Sequence, residues 1–209
     1  MMCLVMKKSR IITVLSIVIV ITLAVSSATA VVVNLIVNPH STVSAQMIEK
    51  NKNSVMMTVN VYGYTDTDAL MRAFKDTDVV FFISEDFFER FPLKVKSITE
   101  NGYQIGIFEE DISNLTRNEV YDRLALRIER MARVTGKNTY MVRLAQSDAD
   151  EKTVNLISSL GLLPLQWTKE GADDRIRGGD IILADEKSAE NLLKKISAEG
   201  FEIISVDAI

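Results

Sequence analysis

The chain has 209 residues, of which 47% are hydrophobic and 25% charged, enough for one ordinary domain and an attached segment. Its first 37 residues hold three basic groups and no acidic one, so the remainder has 21 basic and 28 acidic residues and a formal charge of −7. A domain this acidic has no electrostatic basis for binding nucleic acid or an anionic membrane surface. The single cysteine, Cys3, excludes a disulfide within the main domain.

The N-terminus is typical of a membrane-targeting segment. Lys7, Lys8 and Arg10 precede residues 11–37, a run of 27 residues without a charge. About 20 apolar residues suffice to cross a bilayer as a helix. We therefore predict a cytoplasmic stretch at 1–10 and a transmembrane anchor at 11–37, with the rest of the chain outside the cytoplasm. The sequence "SATA", which ends at Ala30, also fits a signal-peptidase site, so a cleaved signal peptide is the alternative.

Residues 38–54 are polar and without clear periodicity, which predicts a stalk. The only histidine of the chain, His40, lies in this stalk. A domain is predicted over residues 55–209.

Within that domain, apolar segments alternate with amphipathic ones. Seven strands are predicted, at 55–64, 78–84, 103–108, 139–144, 162–167, 180–184 and 201–207. The clearest helix lies between Thr116, which caps it, and Gly136, which ends it, and Glu119 completes a capping box. Apolar strands alternating with helices indicate a parallel sheet covered by helices, hence an α/β fold. Both a small barrel and an open doubly wound sheet fit this periodicity.

Several motifs, in order, resemble the polysaccharide deacetylase (NodB-homology) family. They are "VVFFISEDFFERFPLKVKSITENGYQIGI", "NLT" before the long helix, "TGK" at its end, "MVRLAQS", "LGLLPLQW", "GGDIILAD" and "LKKISAEGFEIISV". The resemblance covers about residues 55–207. It implies a deformed (β/α)7 barrel of the glycoside hydrolase and deacetylase type, with the site at the C-terminal ends of the strands.

The resemblance also implies a chemistry that this chain departs from. In the family, one Asp and two His hold a divalent metal that activates water for deacetylation of a glycan, with a second Asp as base and a further His as acid. Here the first strand ends "VNVYGY" instead of "TFDDG", and the two metal-binding histidines correspond to Phe108 and Ile112. The arginine motif survives as Arg143, and the last histidine corresponds to Asp185. Because the reaction uses three histidines and the chain has one, we predict no catalytic residue, no metal and no cofactor.

An acidic set offers the alternative of a carboxylate-only metal site. Glu109, Glu110 and Asp111 are consecutive, and Asp66 or Asp185 are candidates to join them. Oxygen ligands of this kind favour magnesium or calcium. The competing interpretation of the three consecutive carboxylates is a solvated loop next to a helix N-terminus.

Four residues are candidates for substrate binding, each with a structural alternative. Trp167 is placed to stack on a sugar or to pack in the core, and Arg143 to contact a glycan or carboxylate or to form a structural ion pair. Asp185 is either a general acid, which requires a raised pKa, or the cap of a helix. Tyr64, with Tyr62, forms either an aromatic rim or ordinary packing at the barrel mouth.

The sequence therefore predicts a membrane-anchored deacetylase-like domain without activity, which binds a glycan or another protein in a bacterial envelope or spore. A divergent hydrolase with a carboxylate site is the alternative. If the old metal position is filled, Phe108 and Ile112 should both be buried in the barrel core, since burying such a side chain stabilises by about 1.5–3 kcal/mol. Glu109 and Asp111 should then point outward.

Overall fold

The computed structural model describes residues 52–171 and 175–208. The predicted cytoplasmic stretch, the predicted anchor and most of the predicted stalk lie outside these residues. Within the described ranges, no helix combines the length and hydropathy needed to cross a bilayer.

Among the described residues, eight parallel strands form one sheet. They are β1 (Ser54–Val61), β2 (Val79–Ile83), β3 (Gln104–Glu109), β4 (Met141–Leu144), β5 (Leu163–Pro164), β6 (Lys169–Glu170), β7 (Ile181–Leu183) and β8 (Glu202–Ile203). Their order is β5-β4-β3-β2-β1-β7-β6. One edge of β1 is shared between two strands, because Ser54 and Val55 pair with β8 and the next residues, from Met56, pair with β7.

In the part of the chain that the structure describes, six α-helices connect the strands: α1 (Thr67–Ala73), α2 (Glu85–Arg90), α3 (Pro92–Glu100), α4 (Arg117–Thr135), α5 (Glu151–Ser159) and α6 (Glu186–Ala198). The capping prediction for α4 is confirmed: Thr116 and Glu119 form the capping box, and Gly136 ends the helix in the left-handed region at φ 72°. Pro92 begins α3 directly after α2, as is usual for proline, which is tolerated in the first turn of a helix.

The sheet is a curled half-barrel. Within the described residues, the end strands β5 and β6 pair with β4 and β7 respectively and not with each other. The strand pairing therefore does not close into a complete (β/α)7 barrel. The predicted count of seven strands misses β6, which is two residues long and lies in the segment predicted as a loop.

Apolar side chains are buried on both faces of the sheet. The larger cluster joins the outward side chains of the strands, such as Val59 and Ile107, to helix residues such as Leu124. The smaller cluster contains no α-helical residue and holds side chains that alternate with the first set, including Met56, Phe82 and Phe108. It fills the concave side of the curl, as expected where successive strand residues point to opposite faces.

Candidate functional site

Phe108 fills the mouth of the half-barrel. It lies at the C-terminal end of β3, is 4% exposed and belongs to the cluster on the concave side. The ring of Tyr62, just after β1, meets it edge to face, with centroids 5.2 Å apart and planes at 84°. This geometry is favourable for aromatic pairs. The predicted burial of Phe108 in the barrel core is confirmed.

Ile112 is buried as predicted, with 1% exposure, but in the other core. It packs with the cluster between sheet and helices, so it does not join Phe108 inside the barrel. Ile112 lies in a loop that reverses direction just before it, where Asp111 adopts a φ of 54°. This turn carries Ile112 out to the helical layer, and the prediction that both residues close the mouth is wrong for Ile112.

Arg143 is fully buried on the concave side and has no carboxylate partner among the described residues. Its Nε donates to the backbone oxygen of Leu165 at 3.0 Å, and its Nη1 donates to Oδ1 of Asn60 at 3.0 Å. Its guanidinium lies 4.0 Å from the ring centroid of Phe82 and 5.2 Å from that of Trp167. Burial lowers the pKa of Arg143 to about 9, which still leaves a cation at neutral pH. The interpretation as a structural ion pair is wrong, because an amide, a carbonyl and two aromatic rings take the place of the carboxylate.

The predicted pair Tyr62 and Tyr64 forms a stack at the rim. Their ring centroids are 5.9 Å apart with planes at 18°, and Tyr64 is 88% exposed while Tyr62 is half-buried. Asn60 holds Tyr62 in place by donating from Nδ2 to the phenol oxygen at 3.1 Å. Burial raises the pKa of Tyr62, so its phenol stays protonated.

Trp167 is half-buried and turns its ring toward the guanidinium of Arg143. It therefore packs against the buried cation at the mouth. Because this contact uses part of the ring surface, only the remainder of the ring is available for stacking on a ligand.

Asp185 caps helix α6. Its side chain accepts from the backbone N–H of Ser188 at 2.7 Å, and the Ser188 hydroxyl accepts from the backbone N–H of Asp185. Hydrogen bonding by Ser188 lowers the pKa of Asp185 below its usual value. A general acid at neutral pH needs a raised pKa, so the geometry favours the capping interpretation.

Glu109 is fully buried, and it lies on the face of the sheet opposite Phe108. Its carboxylate forms ion pairs with Arg127 and Arg123 of α4, each at 2.5 Å. Glu109 thus points away from the barrel interior, as predicted, but into the arginines of α4 and not into solvent. The solvated-loop interpretation holds for Glu110 and Asp111, which are exposed, but is wrong for Glu109.

The five acidic candidates do not converge. Asp66 and Asp185 line one cleft at the mouth, where each caps a helix. Glu109 is held by two arginines behind the sheet. Across 52–171 and 175–208, no three Asp, Glu, His or Cys side chains are grouped to hold a metal.

Two structural residues at the site escaped the sequence analysis. Arg127 is buried; besides Glu109 it pairs with Glu85, and it donates to the carbonyls of Phe108 and Ile83 at the ends of β3 and β2. Asp148 accepts from the backbone N–H groups of Asp111 and Ser113 and so holds the loop after β3. The position of Asp148 shortly after β4 could have predicted this role, because the loops that follow parallel strands lie next to one another at the same end of the sheet.

A sequence model of the family described as polysaccharide deacetylase matches residues 47–165. The chain belongs to the polysaccharide deacetylase family. Comparison with curated protein sequences gives no match.

Solved structures of family 4 carbohydrate esterases (CE4) share the fold. A family 4 carbohydrate esterase from Bacillus anthracis is 20% identical over 75% of this chain and 82% of its own, with a TM-score of 0.65. BA3943 from Bacillus anthracis, described as a CE4 family pseudoenzyme, is 15% identical over 75% of this chain and 65% of its own, with a TM-score of 0.67. A BA3943 mutant described as having restored enzymatic activity gives 15% identity and a TM-score of 0.66, over 75% of this chain and 67% of its own.

The residues of this chain do not fit the divalent metal that the family implies. Phe108 and Ile112 offer only carbon where the family has imidazole nitrogen. The first strand ends "VNVYGY" and supplies no carboxylate, and the protonated phenol of Tyr62, beside Phe108, is a poor metal ligand. No step through a metal is derived for this site.

Proposed function

We propose that this protein is a catalytically inactive polysaccharide deacetylase-like domain that is anchored in a membrane, faces away from the cytoplasm, and binds a glycan or another protein in a bacterial envelope or spore. The observation that carries the proposal is the contact of Tyr62 with Phe108 at the mouth of the half-barrel. The aromatic pair packs at the mouth, where the resemblance to the family assigns Phe108 the position of a metal-binding histidine.

Three further features support inactivity. The only histidine is His40, in the predicted stalk, so no second or third imidazole exists to bind metal or protonate a leaving group. The lowered pKa of Asp185 keeps it ionised, so it does not supply that proton at neutral pH. Arg143 lies below the surface, paired with Asn60, and cannot touch a substrate without rearrangement.

A binding role is supported by the exposed aromatic rim, since Tyr64 presents an open ring face beside a cleft. The anchored location is supported by the uncharged run at 11–37 behind three basic residues. The fold is shared with a protein described as a pseudoenzyme, which makes loss of activity on this scaffold a known outcome.

The test is an assay of acetate release. The purified full-length chain in nonionic detergent is incubated with acetylated chitooligosaccharides and with peptidoglycan, each with zinc, cobalt or nickel, alongside an active family member. We expect no release above the metal-only blank. Metal-dependent turnover that disappears in Asp185→Asn or Asp66→Asn, which keep good N-cap residues, would contradict the proposal and favour the carboxylate enzyme.

A further inference from the structure

An open cleft of about 570 Å³ lies beside the aromatic pair, between the loop after β1, strand β6 and the N-terminus of α6. Its walls include Asn60, Tyr62, Tyr64, Asp66, Glu170 and Asp185. This volume falls within the range of about 300–1,000 Å³ that is usual for small-molecule sites. The cleft is therefore large enough to hold a ligand, and its lining indicates which kind.

The wall formed by Tyr64 is an apolar platform. Tyr64 is 88% exposed and stacks on Tyr62. Tyr62 is hydrogen-bonded by Asn60, whose amide oxygen accepts from buried Arg143. An exposed ring is suited to the flat C–H face of a pyranose, which it contacts by dispersion.

The other walls are acidic. Four carboxylates line the cleft, from Asp66, Glu170, Asp185 and Glu186, against one lysine, Lys187. Backbone N–H groups at the start of α1 lower the pKa of Asp66, and Ser188 lowers that of Asp185, so both are ionised at neutral pH. A cleft of this charge repels carboxylated or phosphorylated glycans and attracts cations.

We propose that the cleft binds a glycan carrying free amino groups, the chemistry of a de-N-acetylated hexosamine. This inference rests on the proposed function and names the ligand of the binding role. The sugar ring stacks on Tyr64, and its ammonium group lies among the carboxylates, near an aromatic face that also favours a cation. An N-acetylated sugar retains the stacking but loses the charge. The ligand is thus the product of an amide hydrolysis carried out by another protein.

The test compares two probes, the tetramers of glucosamine and of N-acetylglucosamine, by calorimetric titration of the full-length chain in nonionic detergent. We expect the glucosamine tetramer to bind at least tenfold more tightly, with an affinity that falls as salt rises. Tyr64→Ala should weaken it at least tenfold. The matched control is Tyr121→Ala, which removes an exposed tyrosine of α4 that does not line the cleft.

A second variant tests the charge without removing the helix caps. Asp66→Asn with Asp185→Asn keeps good N-cap residues and should reduce the preference for the free amine to less than threefold. Equal affinity for both tetramers, no binding of the glucosamine tetramer, or equal behaviour of the two tyrosine variants would each overturn the inference. Acetate release tests only the proposed inactivity, and the titrations test only the ligand of the cleft. Failure of the proposed function can therefore be distinguished from failure of this inference.

Discussion

Tyr62 and Phe108 are in edge-to-face contact across the mouth of the half-barrel, although β2 lies between the strands that carry them. Both side chains point to the concave side, where the guanidinium of Arg143 lies against the ring of Phe82. The contact buries Phe108, for which the resemblance to the family implies the position of a metal-binding histidine. Packing at this position therefore bears both on the proposed inactivity and on the stability of the domain.

Asn60→Asp should stabilise the protein at neutral pH, because Arg143 is a buried cation without a carboxylate. The new carboxylate would accept from Nη1 in a charge-assisted bond, worth about 1.5–3 kcal/mol. The arginine lowers the pKa of the new carboxyl in the folded protein below its value of ~4 in the unfolded chain. The added stability is therefore fully present above the unfolded pKa and is lost as pH falls through the folded pKa. Thermal unfolding at pH 7 and pH 3 measures this. Asn138→Asp, at an exposed site, is the control, and an equal effect of both variants would refute the argument.

Glu109→Gln should destabilise the domain strongly. The change leaves Arg127 buried with one carboxylate partner fewer, and breaking a buried ion pair typically costs about 3–5 kcal/mol. Because Arg127 keeps Glu85 and two carbonyls, we expect the lower end of that range. Urea unfolding provides the measurement. Glu129→Gln breaks only an exposed pair with Arg133 and should change the midpoint little; similar losses in both variants would argue against the buried network.

Asp148 should make stability depend on acid pH. Burial would raise the pKa of Asp148, but hydrogen bonds from Ser113 and from backbone amides of the loop lower it below the usual value. The contribution of the Asp148 carboxylate to stability is therefore complete above its pKa in the unfolded chain, and it is lost as pH falls through its pKa in the folded protein. Asp148→Asn should show a shallower fall of the unfolding midpoint between pH 5 and pH 3 than the unaltered chain. Identical slopes would mean that the carboxylate charge does not hold the loop.

The chain should remain in the membrane with its N-terminal segment uncleaved, since the uncharged run at 11–37 is longer than the apolar core of a typical signal peptide. Cell fractionation followed by N-terminal sequencing tests this. A soluble product that begins at Val31 would show that the segment is a cleaved signal.

Local rules predicted much of the fold. The capping box of Thr116 and Glu119 and the apolar strands depend on neighbours in sequence, and both are found in the structure. Strand β6 escaped prediction because two paired residues carry no periodic pattern.

The candidate site was predicted less completely, because it depends on distant contacts. Alternation along β3 correctly placed Phe108 inside and Glu109 outside. It could not show that α4 supplies two arginines to Glu109, or that the partner of Arg143 is an amide from β1. The direction of Ile112 was not predicted, because the loop turns outward at Asp111. Asp111 has a positive φ, which is uncommon for a residue with a side chain and is not indicated by the sequence pattern.

Thermal unfolding of the Phe108→His and Ile112→His double variant, with and without zinc, tests most directly whether the old metal position is closed. Replacing two buried apolar side chains by imidazole should cost about 2–5 kcal/mol, and thus lower the midpoint by several degrees. We expect zinc to leave that midpoint unchanged, because Ile112 lies in the helical layer and the first strand ends "VNVYGY" without an aspartate. A large zinc-dependent rise in the midpoint of the double variant would show that the ligand geometry survives and that the site is open, in contradiction to this account.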